Sequence, residues 1–261
     1  MRSRPAALAL AVLAVLAVSH GILAQTVGSQ GAAKASVTDL TGVWRRSRRP
    51  PDNARRYTVF ELAYSLTVDE PPMTPWAEEK FNAARPSIGP HEVPLSKSND
   101  PVSKCFPPGV PRIYLQRGLP MEIMQIPGRV VMLFEYDHFV RQIFTDGRQH
   151  VQDMPPSWMG DSIGKWEGNT LVVDTTGFND KTWLDLVGHP HTDALHLVER
   201  LRRVSHDTMT IDISIDDPKA YTRPWVSHSV YELKPEWTIG EVICEDDAGF
   251  TSMEKMLEPG K

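Results

Sequence analysis

Cysteine is nearly absent from this chain: two stand among 261 residues, Cys105 and Cys244. Neither lies in a setting that reads as a catalytic thiol. Several signatures are missing altogether. There is no phosphate-cradling loop, no dinucleotide fingerprint and no His-Glu-x-x-His. These absences argue against nucleotide chemistry. Positive charge is short as well: 28 basic against 33 acidic residues leave a formal charge of −5. A mildly acidic surface has no electrostatic reason to bind nucleic acid. No repeat of 20–50 residues is evident, which argues against a solenoid or propeller.

One apolar run stands out, and it is at the start. Arg2 and Arg4 precede Ala6 to Val18, which is Ala, Leu and Val throughout, and Ile22-Leu23-Ala24 offers a small residue for cleavage. This order of charge, apolar stretch and small residue is that of a secretory signal peptide over 1–24. The run is short of the ~20 residues that a spanning helix needs, and no later segment approaches that length. Two basic and no acidic residues leave with it, so the remaining 237 residues carry −7. A periplasmic or secreted location follows, in which an even cysteine count suggests a Cys105–Cys244 disulfide. Two separate buried thiols are the alternative. Residues 25–38, rich in Gly, Ala, Ser and Gln, read as a flexible leader, 39–250 as one β-rich domain and 251–261 as a tail.

Within the domain, Thr74-Pro75 followed by Trp76 to Ala84 reads as a capped helix. Arg45 to Arg56 reads as a loop, Tyr57 to Val68 is ambiguous between strand and helix, and Arg85 to Arg112 is a proline-rich extended wrap. From Met121 onward, short β-rich runs alternate with turn signals. Met121–Ile126 and Arg129–Tyr136 flank Pro127-Gly128. His138–Thr145 ends at Asp146-Gly147. Ile163–Trp166 and Thr170–Thr175 flank Glu167-Gly168-Asn169. Leu195–Val204 and Thr208–Ile215 flank His206-Asp207. Val226–Leu233 and Thr238–Cys244 flank Lys234-Pro235-Glu236. This is an antiparallel meander, and one so long tends to close or curl, because an open edge is a liability. Alternation puts Met209, Ile211, Ile213 and Ile215 on one face. It also puts Glu199 between Leu197 and Leu201, either in an edge ion pair or at a polar site inside a barrel.

The chemistry-bearing residues are densest from Phe178 to Arg200. Asp185, His189, His191, Asp193, His196 and Glu199 all fall there. In an extended chain His189 and His191 would point the same way. With a carboxylate they suit a divalent metal such as zinc, iron or manganese. Without metal, a histidine serves as base and an acid such as Asp185 or Glu199 orients it. The third reading is a loop whose imidazoles cap backbone groups. A second cluster holds Tyr136 at a strand end, His138 opening the next strand, and Arg141, suited to a substrate charge; a hairpin turn with a surface ion pair is the alternative. A third holds Asp217, Tyr221 and Trp225, with Trp225 a stacking platform and Asp217 and Glu199 candidate paired carboxylates; a polar crossover is its plain reading. Trp183 is a further candidate contact, core packing being its other role.

Four stretches carry a family likeness: Cys105-Phe106-Pro107-Pro108-Gly109-Val110-Pro111-Arg112, Trp158 to Gly168, Thr175-Thr176-Gly177-Phe178-Asn179-Asp180 and Gly188-His189-Pro190-His191. From about Leu40 to Asp246 the chain resembles a large family of exported Gram-negative bacterial proteins. The resemblance implies export and one shared domain and assigns no catalytic residue. Gly42-Val43-Trp44 is similar to the first-strand motif of lipocalin-like barrels. That similarity implies a small-molecule pocket, which in some such barrels catalyses hydration, isomerisation or elimination. The proline-rich insertion before Glu122 departs from it.

The combined expectation is a mainly β barrel or strongly curled sheet whose pocket is lined by His138, Arg141, Glu199, Tyr221 and the three clustered histidines. It is an exported enzyme of lyase, isomerase or hydrolase type acting on a small organic or carbohydrate-derived molecule. The alternative is a periplasmic binding protein without turnover. No organic cofactor is required, no nucleic acid is a partner, and the residues leave the oligomeric state open.

Overall fold

The computed structural model describes residues 38–47, 64–116 and 118–244. They belong to one compact unit, Lys34–Lys261. The proposed signal peptide, the leader up to residue 37, the tail 251–261 and most of the ambiguous run 57–68 lie outside them. Among the described residues nine strands run in chain order: β1 (Gly42–Arg46), β2 (Met121–Ile126), β3 (Arg129–Phe134), β4 (Val140–Phe144), β5 (Asp161–Glu167), β6 (Thr170–Thr176), β7 (His196–Arg203), β8 (Thr208–Asp216) and β9 (Trp225–Leu233). They form a closed barrel in sequential order, with β9 pairing back onto β1. The helix α1 (Pro75–Ala83) lies in the long β1–β2 connection. Thr74 caps it, its Oγ1 accepting from the Ala77 amide at 3.3 Å, and Pro75 occupies the first turn. Among the described residues no helix is long and apolar enough to cross a membrane.

Two expectations fail in instructive ways. The meander is not wholly antiparallel: β4 and β5 pair in parallel through Ile143↔Ser162 and Phe144↔Ile163. The turn at Asp146-Gly147 does not close a hairpin. Residues 145–160 cross back to the end where β4 began, the long return that a parallel pair requires. Thr238–Cys244 is not a strand of the sheet either. Lys234 donates to Val43, and β1 takes the edge of β9 at Trp44↔Leu233, so a further strand has no edge to join. The final segment instead runs past Glu135, bridges Tyr136 at Val242 and ends at Cys244, bonded to Cys105 with Cα atoms 5.6 Å apart. Arg45 and Arg46, read as the start of a loop, belong to β1.

Register fixes the two ends of the barrel. Tight turns at 127–128, 168–169 and 204–207 lie at one end. The connections 135–139, 177–195 and 217–224 lie at the other, where β1 ends, β2 begins and 145–160 also returns. Glycines at 128 and 168 adopt positive φ (77° and 61°), a conformation costly for other residues. Alternation carries the apolar set inward. Leu171 and Val173 of β6, Leu197 and Leu201 of β7, and Met209, Ile211, Ile213 and Ile215 of β8 are all buried. The proline-rich connection is more than a wrap. Its turn Arg112–Leu115 is wholly buried, and Tyr114 lies in the lumen against Phe134 and Tyr231. Arg112 anchors that turn by a two-pronged pair with Asp100, at 2.8 and 2.5 Å.

Candidate functional site

Beside the long-connection end, α1 and the β6–β7 connection enclose a cleft of about 350 Å³. Trp76 and Lys80 stand one helical turn apart on α1 and so share a face of it. The connection 177–195 supplies Asp180, Thr182, Trp183 and His191, and Asn99 joins from the proline-rich segment. The strand face of Glu199 and Arg141 does not contribute to this wall.

His191 lies in the wall of the cleft. Its Nδ1 lies 3.1 Å from the Thr192 carbonyl oxygen. A carbonyl only accepts, so Nδ1 carries the hydrogen and donates it, leaving the lone pair on Nε2. That nitrogen is buried and has no hydrogen-bond partner among the described residues. Burial holds the pKa of His191 below the ordinary histidine value, against the opposing pull of Thr192, Asp217 and Asp180. The ring at neutral pH is therefore uncharged, with a bare basic nitrogen.

Neighbouring loops hold it there. The Tyr221 hydroxyl donates to the Pro190 carbonyl at 2.8 Å. Burial raises the pKa of Tyr221, which keeps it a phenol. Asp217 accepts from the amide and hydroxyl of Thr192 at 2.6 and 2.9 Å and from the amides of Lys219 and Ala220, each at 3.2 Å. The residues on either side of His191 are thus tied to the β8–β9 connection. Trp225 packs edge-on against Tyr221, with ring centroids 5.4 Å apart. Asp217, Tyr221 and Trp225 support the site from behind.

His189 has a different environment. Its Nδ1 meets Asp185 at 2.6 Å and its Nε2 meets Glu70 at 3.3 Å, while its ring stacks on Phe81. Burial pulls its pKa down, but Asp185 and then Glu70 outweigh that and bring it up to about 9. Asp185 also accepts from the amides of Val187, Gly188 and His189, and from Ser65. The segment is thus a turn wound around a buried carboxylate and not an extended strand. Gly188, at φ 109°, lets it sit close to α1: a Cβ there would lie 2.7 Å from that of Ala84. His189 and His191 consequently have separate partners. Among the described residues no group of three or more His, Cys, Asp or Glu side chains is arranged to hold a metal ion.

The other sequence candidates fall into separate places. Glu199 and Arg141 form an ion pair inside the barrel, settling the alternative posed by the strand pattern. Arg141 donates through Nη1 to Glu199 Oε1 at 2.9 Å and to Tyr114 at 2.6 Å, through Nη2 to Glu199 Oε2 and to Thr175 at 2.9 Å, and through Nε to Ser162 at 3.3 Å. All five of its N–H groups find acceptors. Tyr114 donates to Glu199 at 2.8 Å. Burial would lower the pKa of Arg141, but Glu199 and Tyr114 more than reverse it, so the guanidinium stays charged. His138 sits on the surface, its Nε2 2.9 Å from the Gly240 carbonyl oxygen. Tyr136 is buried beneath the final segment. His196 faces outward, 3.0 Å from Asp174. Trp183 lines the cleft, with the Arg112 guanidinium 5.5 Å from its ring centroid.

Sequence reasoning expected one pocket and an acid orienting the base. The structure divides those residues among the cleft, the lumen and the outer surface, and a backbone carbonyl, not Asp185 or Glu199, orients His191. Asp217 and Glu199 do not form a pair, since each is held by its own donors. Reasoning from sequence also missed Tyr114, which the prolines around it disguised. It missed Trp76 and Lys80 too, whose helical spacing was the available signal. Compared with known proteins, the chain matches no protein-family model and no curated protein.

Proposed function

We propose that this is an exported enzyme that transforms a small organic or carbohydrate-derived molecule by acid–base chemistry, with His191 as the base. The unpartnered Nε2 of a neutral, rigidly held imidazole at the wall of a cleft carries this reading. A base needs a free lone pair within hydrogen-bond reach of the proton it takes, and burial keeps that pair available at neutral pH. Trp76 and Trp183 offer aromatic surfaces for a sugar ring or other flat apolar face. Asn99 and Thr182 offer hydrogen bonds, and Lys80 and Asp180 offer charges of both signs. Such a wall suits proton removal from a hydroxyl or from carbon beside a carbonyl, as in a lyase, isomerase or hydrolase. The apolar leader and the Cys105–Cys244 bridge support export.

The test is a turnover screen of the purified protein on small sugars, lactones and hydroxy acids, with the variant His191→Gln alongside. Turnover by the wild type that falls at least about a hundredfold in the variant supports the proposal. Saturable binding without turnover moves the assignment to a small-molecule carrier. Turnover unchanged in His191→Gln refutes the role of His191.

A further inference from the structure

The connection 145–160 meets the outside of the barrel at an imidazole, that of His150. His150 Nδ1 lies 2.9 Å from Asp161 Oδ2 on β5, and its Nε2 lies 2.8 Å from Asp174 Oδ1 on β6. The Val151 amide donates to the same Asp161 oxygen at 3.0 Å. Carboxylates only accept, so both bonds of His150 are made when each ring nitrogen carries a hydrogen. A neutral ring has one N–H and turns a lone pair toward one of the two acids. We infer that His150 is a proton-operated clasp that holds this connection to the barrel wall and thereby braces the cleft.

The bracing follows the chain. Beyond the clasp, the Ser157 amide donates to the Gly177 carbonyl and the Asn179 amide donates to the Ser157 carbonyl, both at 2.9 Å. The Trp158 carbonyl accepts from Val110 at 3.3 Å. Asp180 and Thr182, which line the cleft, follow directly. The charged groups around the clasp come from every neighbouring element. His196 of β7 shares Asp174, Asp216 of β8 pairs with His196 in register, Lys165 lies further along β5, and Arg148 acts on Asp161 from the connection itself. Burial lowers the pKa of His150, but its bonds to Asp174 and Asp161 outweigh that and leave it raised, while Asp174 is lowered. A raised histidine stabilises fully below its unfolded value of about 6.5 and ceases to as pH climbs through its folded value. The clasp therefore closes in acid and opens in mild alkali. Its effect on catalysis rests on the cleft reading; the clasp itself does not.

Hydrogen exchange of the exported chain, corrected for intrinsic rates, tests it between about pH 5.5 and 8.5. Peptides covering 146–152 and 176–182 are expected to lose protection as pH rises, about tenfold for each unit by which the pKa of His150 is raised. In His150→Gln both regions are expected to stay weakly protected at every pH. Asp174→Asn, at a half-exposed position, is the second variant and is expected to blunt the response. Wild-type protection that ignores pH, or a response retained in His150→Gln, overturns the clasp. Loss at 146–152 with none at 176–182 overturns the bracing. A failure of the His191 reading appears in the turnover screen and leaves these exchange patterns unchanged.

Discussion

Replacing Arg141 by methionine isolates the ion pair inside the barrel. The guanidinium satisfies both oxygens of Glu199 and the hydroxyls of Tyr114, Ser162 and Thr175, and neither member of the pair is exposed to solvent. Without it, Glu199 keeps one donor, Tyr114, and is left buried with no opposite charge beside it. Ser162 and Thr175 are 3.1 Å apart and can satisfy each other, so their share of the loss is small. Stranding one member of a buried pair costs about 3–5 kcal/mol. For a chain of this size that corresponds to a fall in Tm of roughly 6–20 °C. The double variant Arg141→Met/Glu199→Leu removes both charges and is expected to cost less than Arg141→Met alone. Urea unfolding of the wild type, both single variants and the double variant gives the cycle. A cost below about 1 kcal/mol for Arg141→Met, as for an exposed pair, or single costs that simply add, refutes the reasoning.

Two further outcomes follow from the same structure. His189, raised to about 9 beside Asp185, contributes stability that is complete below its ordinary value of 6.5 and declines as pH rises through about 9. Urea midpoints measured from neutral to alkaline pH should fall over that window in the wild type and flatten in His189→Gln; a wild-type midpoint that holds or rises contradicts this. The Cys105–Cys244 bridge spans a sequence separation of 139. Loop-closure entropy for such a span is about 5 kcal/mol, an upper figure for the loss in Cys105→Ser/Cys244→Ser. A loss under about 1 kcal/mol means the chain ends of that loop are already held without the bridge.

The hairpins were legible because their signal is local. Alternation of period two across Leu197-Val198-Glu199-Arg200-Leu201 places Glu199 inside with no knowledge of its partner. The partner, Arg141, stands on β4, and the pattern cannot say that three other strands and the Tyr114 turn converge on it. Turn chemistry announced the ends of β2, β5 and β7, but Asp146-Gly147 announces a turn without saying where the chain goes next. The parallel placement of β5 depends on contacts made far along 145–160, at His150 and Ser157. His189 and His191 were read as neighbours in extended chain, whereas Asp185 gathers three backbone amides and winds the segment into a turn. Buried carboxylates that organise loops leave no periodic trace. The cleft was illegible for the same reason: its walls come from a helix, a proline-rich segment and a loop that meet only in the folded chain.

The protonation of His191 is open to direct measurement. Long-range proton–nitrogen correlation spectra of the folded protein at neutral pH, assigned with His191→Gln, report each ring nitrogen. The cleft geometry requires a neutral ring with its hydrogen on Nδ1, a bare Nε2 and a pKa below the ordinary 6.5. A doubly protonated His191 at neutral pH, or a hydrogen found on Nε2, contradicts its assignment as the base.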